Sequence, residues 1–142
     1  MDRMRFALAL AAAAMLGGCV HGGALRCTTG TQPMAQERLY FGTQRPRGGG
    51  PVSDAEWSAF LDEVAAAFPD GFTSWETAGG WRGPDGRTVR EASHVVEILH
   101  PAGGAAADAR VEALLAAYNA RFDQDAVMRT LAPACVEFVE TR

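Results

Sequence analysis

Lysine is absent from this 142-residue chain: all thirteen basic side chains are arginine, in a composition that also holds 27 alanines and points to GC-rich coding. Seventeen acidic residues bring the formal net charge to −4, and no basic run occurs, so nucleic acid is excluded as a partner. The longest apolar run, Phe6 to Leu16, is eleven residues, where a bilayer-spanning helix needs about 20. No Gly-x-Ser-x-Gly elbow is present, and Ser53 reads as a helix cap, which removes serine-hydrolase chemistry. The Gly-rich stretch Pro46–Pro51 lacks the Gly-Lys-Ser/Thr ending of a phosphate loop, leaving Arg45 and Arg47 beside a solvated loop with at most a weak pull on anions. Histidine is sparse. His94 and His100 share a strand face by parity but lie roughly 20 Å apart, too far for one metal ion, so neither a metal nor a cofactor is expected. What remains is a 48% hydrophobic chain with 16 glycines and 7 prolines: one globular domain with generous loops, and an odd count of three cysteines.

The N-terminus accounts for the first cysteine. Residues 1–5 are net positive, Phe6–Leu16 forms the apolar region of an export signal, and Leu16-Gly17-Gly18-Cys19 follows at once. This resembles a bacterial lipobox, with Leu three residues ahead of the cysteine and small residues between. The resemblance implies a signal peptide over 1–18, diacylglycerol and palmitate on Cys19, and anchoring in a lipid bilayer by several acyl chains, which is stable where one chain is marginal. Val20 stands where inner-membrane retention usually shows Asp, so the outer membrane, facing the periplasm, is expected. The alternative is an ordinary secretory signal cleaved near Ala11–Ala14. Residues 19–35 have no hydrophobic period and much Gly, Thr and Pro, and read as a lipidated tether in which His21 is solvated.

From residue 36 to 142 the pattern is that of a single α+β domain. Glu37–Gln44 is rich in β-formers and predicts a strand. Ser53 with Glu56 predicts a capping box, and Trp57, Phe60, Leu61, Val64 and Phe68 then recur at helical spacing until Pro69-Asp70-Gly71. Phe72–Trp81 and Thr88–His100 read as strands joined by a turn at Gly83-Pro84-Asp85-Gly86. A second helix, about Ala106 to Phe122, shows the same stripe in Val111, Leu114, Leu115, Tyr118 and Phe122. Val127–Val139 closes the chain as an extended segment that Pro133 is expected to bulge or split. The order β-α-β-β-α-β predicts a ferredoxin-like sandwich: a four-stranded antiparallel sheet, two helices on one face, and strand order 4-1-3-2. The third strand is apolar on both sides, Val96 and Ile98 on one and Val95 and Leu99 on the other, so cover for the second face is expected, with a homodimer as one possibility.

In an oxidising compartment Cys27 and Cys135 can form a disulfide; two separate thiols are the alternative. Neither has a Cys-x-x-Cys partner or a neighbouring His, so redox catalysis is not indicated. The remaining candidates for a ligand or partner face are Tyr40, Glu76, Trp81 and His94, with Arg90 nearby, from three strands whose registers the sequence leaves open. A His–Glu pair with a Tyr suits proton transfer on a small substrate; core aromatics and a solvated Glu are the plainer reading. His94 is expected half-buried, and His100, ahead of Pro101, to face solvent.

Several motifs point one way together: Glu37-Arg-Leu-Tyr-Phe-Gly42, Trp57-Ser-Ala-Phe60, Phe68-Pro-Asp-Gly-Phe-Thr73, Gly80-Trp-Arg82, Tyr118-Asn-Ala-Arg-Phe-Asp-Gln-Asp-Ala-Val127 and Cys135-Val-Glu-Phe138. Over about 36–139 the chain resembles the domain-of-unknown-function family numbered 3574, mostly small bacterial lipoproteins or exported proteins. Asp123 stands where that family usually has Gly. The resemblance implies export and the domain boundaries, and carries no activity or catalytic residue. The expectation is therefore a non-catalytic module binding an envelope protein or a small ligand, with a small dimeric enzyme of proton-transfer or oxidation type as the alternative.

Overall fold

Ser53 and Glu56 close the capping box in full: the Ser53 hydroxyl accepts from the Glu56 N–H, and the Glu56 carboxylate accepts from the Ser53 N–H. These contacts satisfy orphan amides at the start of α1, Asp54–Ala67. The computed structural model describes residues 26–140; the signal peptide, Cys19 and the first part of the tether lie outside them. The element order is β1 Gln32–Gly42, α1, β2 Phe72–Arg82, β3 Thr88–Pro101, α2 Ala105–Phe122 and β4 Met128–Val136. All strand pairs are antiparallel, and the sheet order β2-β3-β1-β4 is the expected one. The fold is a ferredoxin-like α+β sandwich.

Two boundaries differ from expectation. β1 begins at Gln32, inside the stretch read as tether, because Gln32 and Pro33 pair with Val136 and Cys135 of β4. Ala35 there extends the odd-numbered, inward-facing series of Glu37, Leu39 and Phe41. β4 is neither split nor bulged: Pro133 pairs with Ala35 in an uninterrupted register. A strand at the sheet edge tolerates the missing N–H that a central strand would not.

The two helical stripes meet over β1 and β3. Phe41 packs against Trp57, Phe60 and Tyr118 at ring-centroid distances of 5.6, 5.2 and 4.6 Å. Leu39, Val64, Val96, Ile98 and Val111 complete a fully buried core. Tyr118 donates its hydroxyl to the Gly42 carbonyl at 2.9 Å, and burial pushes its pKa well above the ordinary tyrosine range. Helix α2 ends at Asp123, the single non-glycine residue with positive φ (56°) among the described residues. That left-handed position favours Gly, the residue expected there from the resemblance. Here Asp123 accepts hydrogen bonds from Arg47 instead.

Cys27 and Cys135 form the disulfide, with Cα atoms 5.4 Å apart. It clamps the segment ahead of β1 onto the far end of β4.

Candidate functional site

Strand parity divides the candidate residues between two faces. In β1 the odd positions face the helices; in β3 and β2 it is the even ones, since Leu39 pairs with Val96 and Ser74 with Val96. Glu76 and His94 are direct cross-strand partners under the helices, whereas Tyr40 and Trp81 lie on the helix-free face. Tyr40 therefore does not converge with Glu76 and His94, a point the sequence left open. A one-residue difference in register phase separates them by the thickness of the sheet.

On the helix side His94 is half-buried as expected, its ring stacked on Trp57 at 4.2 Å with planes 9° apart. Burial lowers its pKa below the ordinary histidine value, and the carboxylates of Glu76 and Asp54 only partly offset this. His100 corrects the sequence reading. It does not face solvent: it is buried, and its Nε2 lies 2.9 Å from the Glu37 carboxylate. Glu37 is itself fully buried and holds Arg129 through both oxygens, and Arg129 reaches on to Asp108. Both carboxylate oxygens are thereby paired, which a buried charge requires. Alternation with Leu39 and Phe41 could have shown Glu37 pointing inward; nothing in the sequence marked Arg129 as its partner. With its charges matched to one another, the cluster reads as structural. Among the described residues no three His, Cys, Asp or Glu side chains are gathered in metal-holding geometry.

The loop arginines are also committed. Arg45 bonds the Glu56 carboxylate and the carbonyls of Gly49, Gly50 and Pro51. Arg47 bonds Asp123 and Asp125. With their cationic groups matched internally, the Gly-rich loop offers no anion site.

The helix-free face carries recesses. Among the described residues no helix covers it, and Trp75, Trp81, Val89 and Met128 are exposed there, Trp81 by 53%. Val95, by contrast, is 1% exposed on this face, flanked in register by Tyr40 and Trp75. Mid-sheet, Arg38 and Gln36 both donate to Glu97. Toward the β2–β3 turn a cavity of about 630 Å³ opens, lined by Tyr40, Trp81, Glu91, Ser93, Gln124 and Met128. Two glycines shape it. A Cβ on Gly42 would sit 3.2 Å from a Glu91 oxygen and 3.3 Å from the Gln124 oxygen, whereas a Cβ on Gly79 would meet nothing within 4 Å. Gly42 thus lets the carboxylate and the amide approach the strand, and Gly79 leaves the floor bare. A carboxylate, a hydroxyl and an amide around one cavity, with the Tyr40 ring toward one end and the Trp81 ring toward the other, can accept a ligand's N–H or O–H donors against apolar walls. Of the candidates named from sequence, Tyr40 and Trp81 belong to this cavity. Glu91 and Gln124 were missed, Gln124 because it comes from the loop after α2.

Among solved structures, the chain is similar to a phage SAM lyase in complex with S-methyl-5′-thioadenosine, at 18% identity and a TM-score of 0.52, over 82% of this chain and 98% of that one. The same lyase in its apo state gives 17% identity and a TM-score of 0.51, over 82% and 99%. At that identity the likeness establishes the shared fold. No curated protein matches. The model of the family described as protein of unknown function (DUF3574) matches residues 36–138, and the chain belongs to that family.

Proposed function

We propose that the chain is an exported, lipid-tethered binding module, anchored through acylated Cys19 to the outer membrane and facing the periplasm. On this reading its ligand sits on the helix-free sheet face. The observation that carries the binding role is the cavity of about 630 Å³ lined by Tyr40 and Trp81, into which the missing side chain of Gly42 admits Glu91 and Gln124. Its chemistry suits a small ligand bearing hydrogen-bond donors or positive charge, since the charged side chain lining it, Glu91, is an acceptor. The anchor rests on the lipobox-like Leu16-Gly-Gly-Cys19.

Gly79→Leu tests the binding role. A Cβ at this position meets nothing within 4 Å, so the added side chain projects from the floor into the cavity, and a strand accepts it readily. Ligands found by quenching of Trp81 fluorescence should lose binding in this variant while the circular dichroism stays unchanged. Undiminished binding would place the site elsewhere. Cys19→Ala should abolish palmitate labelling, and retained label would refute the anchor. The same exposed face would suit a second copy of the chain; sedimentation at increasing concentration distinguishes a homodimer from a ligand-binding monomer.

One observation favours a second reading, a small enzyme: the likeness to the phage SAM lyase. No residue is carried over from it, and the separated Tyr40 and His94 weaken the proton-transfer constellation. Incubation with S-adenosylmethionine and assay for released S-methyl-5′-thioadenosine decides it; no release above the uncatalysed rate removes this reading.

A further inference from the structure

The β2–β3 hairpin is longer than the sheet that supports it. β1 ends its pairing with β3 at Gly42–Ser93, so Ala78–Arg82 and Thr88–Ala92 continue beyond it as a two-stranded arm. The turn is closed by hydrogen bonds from Gly83 N–H to the Arg87 carbonyl and from Gly86 N–H to the Gly83 carbonyl.

The arm gathers unpaired positive charge in a net-acidic chain. Arg38, Arg45, Arg47, Arg121 and Arg129 are each in ion pairs, and Arg110 lies over the Phe68 ring. Arg82, Arg87 and Arg90 are all exposed and have no ion-pair partner among the described residues, and Arg26, likewise without one, stands alone ahead of the disulfide. Register places two of them together. Arg82 pairs with Thr88 and Gly80 with Arg90, so Arg82 and Arg90 are diagonal neighbours on the same face, about 7–8 Å apart. Gly80 shares that face and contributes no side chain, and a recess of about 440 Å³ opens there, lined by arm residues alone, including Thr88, Arg82 and Arg90. The acidic groups nearby are placed elsewhere. Asp85 is in the turn, accepting from the Arg87 N–H, and Glu91 is on the opposite face, in the cavity beside Tyr40. Glu76 shares the face but is two same-side positions further down the strand than Gly80, next to His94.

From this geometry we infer that the Arg82–Arg90 recess is a binding site for a phosphate group, on the opposite face of the arm from the Tyr40 cavity and sharing with it the lining residues Ala78, Gly79 and Trp81. Two guanidinium forks flanking a floor without a side chain supply the donors that phosphate oxygens accept. The phosphate can belong to a free phosphoester or to a lipid head group, and the chemistry at the recess is the same.

The test uses the full chain carrying Cys19→Ala, so that no acyl chain contributes to membrane binding. Glycerol 3-phosphate is titrated while the arginine side-chain N–H resonances are followed by NMR; in parallel, sedimentation with phosphatidylglycerol vesicles is compared with phosphatidylcholine vesicles. Saturable shifts of the Arg82 and Arg90 signals identify a free phosphoester site. Selective sedimentation with the anionic vesicles identifies a head-group site. In either case Arg82→Gln and Arg90→Gln should each weaken binding about tenfold, the loss of one charge-assisted contact. Arg121→Gln, remote on α2 and paired with Glu63, should leave binding unchanged. The inference is overturned by absence of binding in both arms, or by binding that survives both arm substitutions.

Discussion

Replacing Arg129 by Met is expected to destabilise the domain far more than the same change at Arg38, although both arginines hold a glutamate. Glu37 has no exposed side-chain area, and Arg129 supplies two of its hydrogen bonds. Removing one partner of a buried pair costs about 3–5 kcal/mol, because the other charge stays desolvated and uncompensated. Here His100 remains within 2.9 Å of Glu37 and Arg129 is itself 24% exposed, so the loss should fall at the lower end, about 3 kcal/mol. For a domain of this size that lowers the melting temperature by roughly 10–20 °C. Arg38 and Glu97 pair where both side chains reach solvent, and its substitution should barely move the midpoint. The assay is urea denaturation followed by far-ultraviolet circular dichroism, with m-values compared to confirm two-state behaviour. Glu37→Met combined with Arg129→Met should recover most of the loss, since no charge is then left buried. Equal midpoints for the Arg129 and Arg38 variants would refute the burial argument.

Reduction of the Cys27–Cys135 bridge should destabilise the fold: its 108-residue separation corresponds on the chain-entropy model to about 4.7 kcal/mol. Thiol titration of denatured, unreduced protein should find neither cysteine free. Burial of His94 against Trp57 holds its folded pKa below that of the unfolded chain, so its contribution is complete above about pH 6.5 and is lost as pH falls through the folded value. NMR titration of the His94 ring should show the depressed midpoint, and Trp57→Ala should move it back up. Hydrogen bonds from Ser53 hold the Glu56 carboxyl below the usual range, with Arg45 adding to the effect; the stability it confers is present above the ordinary glutamate pKa and disappears as pH falls through the lowered one. Ser53→Ala removes part of that acid sensitivity and costs about 1 kcal/mol at neutral pH, measurable by thermal melts at two pH values.

Local rules were enough for the elements and their order. Helix spacing in Trp57–Phe68 and Val111–Phe122, the Ser53–Glu56 cap and the turn at Gly83–Gly86 depend on residues a few positions apart. Right-handed crossovers then leave little choice of strand order. The candidate site was only half legible, because whether two strand residues share a face depends on the relative phase of strands far apart in sequence. Tyr40 and His94 each read correctly as strand residues, yet pairing of Tyr40 with Val95 and Phe41 with His94 puts them on opposite faces. The same register buried His100 beside Glu37 and drew Gln124 from a loop to the Gly42 backbone.

What the sequence by itself determined is what short-range periodicity encodes: two amphipathic helices, four strands and their order. What only the tertiary structure decided is every contact made across sequence distance. It closed the disulfide, committed Arg45 and Arg47 to internal carboxylates, paired Glu37 with Arg129, and left Arg82 and Arg90 side by side without a partner. The physical reason is that such contacts follow from register and packing of the whole sheet, in which one residue of slip exchanges the two faces.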